Sequence, residues 1–441
     1  MRDRLTKPAI RRLGTFIDRF AGCFGHHAQR DASRRYVEGL ISKAERKSMQ
    51  GIWAAVRDPG SYQALHHFIA ISQWDSNDVW RIIRSQIPEK RGVLIVDDTG
   101  FPKQGKHSVG VQRQYSGTLG RVGNCQVAVS TVLRSAHTTW PIDIELYLPE
   151  VWTEDADRRE SAAIPVDLAF RPKWEIALGQ IAKARHAKVQ IECVAADSGY
   201  GECTEFRDRL DRMHLRYVVG ITSQTTVFSG EPRYQPRKPK GGRGRPRKYD
   251  PLSRSSPRPQ TVKELGESLP RSAWKKVTWR RGSKGPLSAE FAAIRVVPAH
   301  RWQQRAPRKT EWLLCERLRD GSRKFYLSNL PDDTSLRRLV DLAHTRWAVE
   351  QNYQQLKEEL GLDHFEGRSW PGWHHHVVLT ALTFAFLELE RWKSKSTPLP
   401  TLPAMRRLVA ELLFFHIVEE RPDLQEMWAE RIAAKRGRAP P

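Results

Sequence analysis

The chain has 441 residues, too many for one compact core and enough for two or three domains. A hydrophobic content of 39%, with 15 Trp and 15 Phe, excludes wholesale disorder. Lys and Arg number 74 against 50 Asp and Glu, and the resulting charge of +24 favours a polyanionic partner, because each phosphate neutralised releases condensed counterions.

Nucleic acid is the first candidate and an anionic membrane the weaker one. The longest apolar run, near Val377–Leu387, is interrupted by Thr and too short to span a bilayer. The start, Met1-Arg2-Asp3-Arg4-Leu5, lacks the apolar stretch of a signal peptide, so a cytoplasmic protein without membrane contact is expected. Five scattered cysteines without CxxC spacing point to buried free thiols rather than a disulfide framework or a zinc site.

Residues 1–88 read as short helices laced with Arg and Lys, at Leu13–Phe24, Ala44–Val56 and Tyr62–Gln73, with apolar residues at three- and four-residue spacing. Such an all-helical N-terminal region suits a DNA-binding domain, and equally a helical cap on the core. The pattern changes at Arg91. Gly92–Val96 is a continuous β-branched run, fit for a central strand, and it ends in Asp97-Asp98-Thr99-Gly100. Strands are expected at Cys125–Leu133 and Ile142–Leu148, a helix at Lys173–Ala184, and a fourth strand at Val189–Ala196 that runs into Asp197-Ser198-Gly199. A helix at Glu205–Met213 and a strand at Leu215–Ile221 follow. Three strands, a helix, a strand, a helix and a strand is the order of an RNase H-like core, here 89–221 and 331–393.

Residues 232–259 are rich in Pro, Gly, Arg and Lys and open a segment, 222–330, of basic loop plus mostly β insertion. Its strands are expected at Lys275–Arg280, Ala289–Val297, Trp312–Glu316 and Lys324–Leu327. One long helix, Thr334–Leu360, should then stop at Gly361, with further helices at 374–393 and 404–419, the latter in a C-terminal helical region, 394–441. The fold class is therefore α/β, a mixed sheet flanked by helices.

Asp97 and Asp197 each end an apolar strand, where ligand sites of open α/β sheets gather. An Asp there is costly to bury unless it is paired or binds a cation. On the long helix, Arg346, Glu350, Tyr353 and Lys357 are spaced by four, three and four, and so share a face. That face is either the source of a third carboxylate or an ordinary solvated ion-pair ladder. Three converging carboxylates suit two hard divalent cations that bridge the attacking and leaving oxygens of a phosphodiester.

The stretch from Asp97 to Gly110, with Gln114-Tyr115-Ser116-Gly117 and Gly123-Asn124-Cys125-Gln126, resembles the first catalytic block of bacterial insertion-sequence DDE transposases. Ala196-Asp197-Ser198-Gly199-Tyr200-Gly201 is similar to their second block. Arg346, Glu350 and Lys357 match the spacing of the Tyr-Arg-Glu-Lys signature of one branch, with Ala343 where the Tyr is expected. The resemblance implies catalytic and metal-binding roles for Asp97, Asp197 and Glu350, two Mg²⁺ ions (Mn²⁺ substituting), and phosphate contacts for Arg346 and Lys357. It also implies double-stranded DNA, as element ends and target, and a homodimer on paired ends. Related first blocks read Asp, any residue, then Thr or Ser, which favours Asp97 and leaves Asp98 as the alternative.

Arg243-Gly244-Arg245-Pro246-Arg247-Lys248 contains the Arg-Gly-Arg-Pro core of an AT-hook, an extended segment for the narrow minor groove. Its competitor is a solvated basic loop, which would still touch phosphates. His374-His375-His376 is expected as a surface cluster at a helix start, since adjacent helical residues cannot chelate one ion. Trp274, Trp279, Trp302 and Trp312 are expected in the core of the insertion. A transposase-derived DNA-binding regulator without cleavage activity is the competing function, disfavoured by the intact acid set.

Overall fold

The computed structural model describes residues 3–56, 58–235, 250–282, 285–300, 309–394 and 398–419. They form a twelve-stranded mixed sheet flanked by helices. Its strands are β1 (Arg91–Pro102), β2 (Gln112–Ser116), β3 (Arg121–Arg134), β4 (Thr139–Leu146), β5 (Gln190–Ala196) and β6 (Tyr217–Ile221), then β7 (Thr226–Phe228), β8 (Gln260–Thr261), β9 (Lys275–Gly282), β10 (Gly285–Pro298), β11 (Glu311–Arg317) and β12 (Arg323–Ser328). The path runs β2-β3-β1-β5-β6-β12-β11-β10-β7-β8, with β4 beside β3 and β9 beside β10. β1 pairs antiparallel with β3 and parallel with β5, and β5 parallel with β6, the RNase H-like arrangement. The insertion continues this sheet, because β12 hydrogen-bonds antiparallel to β6.

The unbroken apolar run of β1 is explained by burial on both faces. Leu94 and Val96 join a core with Val194 and Ala196 of β5. Val93 and Ile95 join the opposite core with Cys193 and Ala195. Gly92 is required where β1 starts, since a Cβ there would stand 2.2 Å from the Arg134 carbonyl oxygen. Each fully buried large apolar side chain contributes about 1.5–3 kcal/mol, so this double-sided burial anchors β1 and β5 within the sheet.

The first core is covered by helices Lys173–His186 and Trp370–Lys393, and on the latter pack N-terminal helices including His27–Ile41, Tyr62–Ala70 and Ser76–Ser85. The second carries Leu336–His344 and Trp347–Gln354. Polar ties reinforce the N-terminal packing: Arg12 pairs with Glu390 at 2.7 Å, and the Tyr36 hydroxyl meets His376 Nδ1 at 2.8 Å. Cys125, Cys193 and Cys315 are buried as free thiols, while Cys23 and Cys203 are half-buried.

Three expectations need correction. Thr334–Leu360 is not one helix. It is Leu336–His344, a turn at Thr345–Arg346, Trp347–Gln354, then a π-turn at Gln355–Glu359, closed by Gly361 at φ +69°. Polar residues at 345 and 346 mask the break, because helical spacing persists across it. The His tract is not on the surface. His375 and His376 are buried, and His375 presents its two ring nitrogens to the Ile69 and Trp74 carbonyls at 2.8 and 2.9 Å. In the N-terminal region, Ala44–Val56 shrinks to a helix at Met49–Ala54, and His27–Ile41 is an additional helix that the charged spacing concealed. Trp274 is buried, Trp279 and Trp312 are half-buried, and Trp302 lies outside the described residues.

Candidate active site

Parallel pairing sets the site. Val96 of β1 lies in register with Ala196 of β5, so Asp97 and Asp197 follow side by side where that parallel pairing stops. Asp97 does not end its strand as expected, because β1 continues to Pro102 against β3. Strand alternation then fixes their direction. Asp97 has the parity of Val93 and Ile95, and Asp197 that of Cys193 and Ala195, all four in the core that carries Ala348, Val349 and Tyr353. Both acids therefore face the helix bearing Glu350. Asp98 takes the other face, where Lys173 Nζ holds it at 2.6 Å and the Tyr200 hydroxyl donates to it.

Arg346 joins the acids. Its Nη1 donates to Asp97 Oδ2 at 2.6 Å and its Nη2 to Glu350 Oε1 at 2.9 Å. The turn at Thr345–Arg346 lets this guanidinium reach Asp97 on β1 and Glu350 together. Asp97 is buried at 7% exposure, whereas the Glu350 side chain is 58% exposed. Beneath Asp97, its cross-strand neighbour Ser130 shares a hydrogen bond of 2.5 Å with the buried Tyr353 hydroxyl. Asp197 accepts from the Gly199 N–H at 2.9 Å, which orients its carboxylate.

The charges are mutually strained. Burial pushes Asp97 up to about 7, opposed by Arg346 and reinforced by Asp197. Burial also raises Asp197, with Asp98 adding to the rise and Arg346 opposing it. Burial works against the Arg346 cation, yet Asp97, Glu350 and Asp197 outweigh it and hold the guanidinium above its ordinary value. Two crowded carboxylates that resist ionisation, offering only oxygen donors, fit a hard divalent cation. Among the described residues no group of three His, Cys, Asp or Glu stands in metal-holding geometry. Glu350 is turned to Arg346, which lies between it and Asp97.

A cleft of about 520 Å³ opens over Asp197, Arg346 and Glu350, walled by Lys324 and Tyr326 of β12 and by Trp347. Lys357 lies apart, its Nζ donating to the Gly100 carbonyl at 2.8 Å and approaching Thr118 Oγ1 at 3.2 Å. The structure thus gathers Asp97, Asp197, Arg346 and Glu350, and places Lys357 along β1. Arg243, Arg245, Arg247 and Lys248 lie outside the described residues.

The profile of the DDE superfamily endonuclease family matches residues 19–286. The chain belongs to this family. It is also 26% identical, over 382 residues, to a probable transposase for insertion sequence element IS701 of Microchaete diplosiphon, covering 84% of this chain and 86% of that one. DDE endonucleases in general use divalent metal ions, consistent with the strained acid pair.

Sequence reasoning missed several supports of this endonuclease site. Lys173 and Tyr200 occupy Asp98. Glu316 of β11, fully buried, accepts from the Tyr326 hydroxyl at 3.0 Å and faces His344 Nε2 at 3.3 Å. His344 stacks on Trp279 at 3.9 Å and ends the helix just before Arg346. Tyr200 lies inside the second motif, so its presence was visible but not its partner. Lys173, Glu316 and Trp279 come from distant segments with no motif of their own.

Proposed function

We propose that this DDE endonuclease is a DNA transposase that cleaves and joins strands at the ends of an insertion sequence, acting in the cytoplasm as a homodimer on paired ends. The observation that carries this reading is the register-matched pair Asp97 and Asp197, facing the helix that presents Arg346 and Glu350. The likeness to a probable insertion-sequence transposase over most of both chains supports the substrate class.

In this reading Asp97, Asp197 and Glu350 would hold two Mg²⁺ ions, which would supply Lewis-acid activation of the reacting phosphodiester. The residues themselves do the rest. Burial of Asp97 fixes one carboxylate rigidly, the Gly199 N–H aims the second, and exposed Glu350 can turn from Arg346 into the cleft. Arg346, relieved of part of its carboxylate contact, is then a fork of donors for a phosphate near the cut. The N-terminal helices and the Arg243–Lys248 segment are further candidates for DNA contact.

The test is incubation of the protein with DNA carrying the sequences that flank its coding region, with and without Mg²⁺. Strand cleavage at the element ends is expected only with the metal. DNA binding without cleavage under any divalent ion would favour the non-cleaving regulator.

A further inference from the structure

The β2–β3 hairpin presents an unexplained surface. On its outward face Tyr115 pairs across the ribbon with Val122, and these side chains are 63% and 53% exposed. Arg113 shares the face of Tyr115, and Arg121 stands at the tip, both exposed. Neither arginine side chain has a hydrogen bond or ion pair among the described residues. Lys106 and His107, also exposed, lie in the preceding loop. From Thr99 to Ile142 the sequence contains no Asp or Glu, so this surface is positive without internal compensation. An apolar pair left in water beside arginines that have no ion-pair partner among the described residues suits an anionic partner.

The hairpin is also fastened to the active site. Thr118 in its turn exchanges hydrogen bonds with the Gly100 amide and carbonyl, both at 3.3 Å. Lys357 donates to that same carbonyl and reaches Thr118. A Cβ on Gly100 would collide with the Ser116 Oγ at 1.9 Å, so glycine is needed for this seating. Gly100 is three residues beyond Asp97 on β1, about 10 Å at a strand's rise per residue.

We propose that the β2–β3 hairpin is a DNA-contacting ribbon, held by Lys357 beside the Asp97–Asp197–Glu350 site, and that its partner is the duplex flanking the cut. This rests on the endonuclease reading above. Arg113 and Arg121 contact phosphates, while Tyr115 and Val122 seat against sugar and base surface, as a two-stranded ribbon of this width fits a groove. Lys357 thereby positions the ribbon as well as serving the site. β2 is an edge strand, so the competing occupant is a second copy of this chain paired along that edge.

The experiment measures binding of full-length protein to a mixed-sequence duplex oligonucleotide, without divalent metal, across a salt series. Arg113→Ala with Arg121→Ala should weaken binding and reduce the salt slope by ~1.8, at ~0.9 per lost phosphate contact. Tyr115→Ser should weaken binding with the slope unchanged. A photo-crosslinking residue at 115 should capture DNA. Because all these side chains are exposed, melting temperatures should match wild type, and folding failure is not a competing account. Wild-type affinity and slope in the double variant, with wild type still cleaving element-end DNA, would overturn the ribbon and leave the endonuclease reading standing. A variant that changes oligomeric state but not DNA affinity would overturn it in favour of the second copy. Wild-type protein unable to bind the duplex at all would overturn both.

Discussion

Asp97→Asn should stabilise the metal-free protein at neutral pH, even though it removes one partner of a 2.6 Å ion pair. Asp97 is held at about 7 instead of an ordinary 3.8, chiefly by burial. A carboxylate whose folded pKa lies above its unfolded one binds more protons when folded. Stability therefore falls as pH rises between 3.8 and about 7, and the deficit is complete above 7. At ~1.4 kcal/mol per tenfold change in proton affinity, the ionised group costs the fold up to about 4 kcal/mol. Roughly half of that is a reasonable return from an amide, which copies the protonated acid imperfectly. Arg346 is not orphaned by the change, because Glu350 still accepts from its other nitrogen. Thermal melting in chelator from pH 5 to pH 8 should show the variant gaining on wild type as pH rises, by a few degrees at the top. Adding Mg²⁺ should raise the wild-type melting point and leave the variant nearly unmoved. A variant destabilised equally at every pH would refute the reasoning, since Asp97 would then be a structural partner of Arg346 and not a strained ligand.

Other expectations follow from the same geometry. Asp197→Asn should abolish strand cleavage in a nicking assay while binding DNA nearly as well as wild type, since an Asn side-chain oxygen can still accept from Gly199 N–H. Glu350→Gln, which can keep its Arg346 hydrogen bond, should fail in the same assay; full activity would mark the helix face as a plain ion-pair ladder. Lys357→Ala should reduce both cleavage and end binding by losing its contacts to Gly100 and Thr118, with Lys357→Arg restoring part of each in gel-shift and cleavage assays. Tyr36→Phe leaves the buried His376 Nδ1 without its donor and should cost ~1–3 kcal/mol in denaturant unfolding, with cleavage unchanged at permissive temperature. Arg243→Ala with Arg245→Ala should weaken binding to A·T-rich duplex more than to G·C-rich duplex at one fixed salt; equal losses would identify a phosphate tether instead of a minor-groove hook.

Much of the sheet was legible because burial on both faces writes itself as an unbroken apolar run. Gly92–Val96 and Val189–Ala196 both fall on observed central strands, and the acids that follow them stand side by side, although β1 runs on past Asp97 to Pro102. The short β2 left no such trace. Gln112–Ser116 is polar and exposed because it is an edge ribbon, so neither continuous apolarity nor core-facing alternation marks it. The His tract failed for a related reason. Three polar residues at a helix start imply solvent, but each finds a partner: His374 at the Trp370 carbonyl, His375 at two carbonyls, His376 between Tyr36 and Gly361. The Trp370 carbonyl lies one turn earlier in the same helix, whereas Ile69, Trp74 and Tyr36 come from remote segments that the local sequence does not reveal.

The choice between Asp97 and Asp98 shows which part of the site needed coordinates. Sequence places both directly after the apolar run Gly92–Val96 and says only that they face opposite ways. Register decides more, because β5 presents Asp197 on the side of Val93, Ile95 and Asp97. Contacts decide the rest. Asp98 is already engaged by Lys173 and Tyr200, so recruiting it as a ligand would break two hydrogen bonds and turn it through the sheet. Among the described residues Asp97 hydrogen-bonds only with Arg346 and the following amide, and it shares its face with the helix carrying Glu350. Asp98→Asn should therefore cost stability through the Lys173 contact, measurable in denaturant, while retaining more cleavage than Asp97→Asn in parallel assays. The reverse ranking would move the first ligand to Asp98 and require the sheet face, and with it the role of Glu350, to be reassigned.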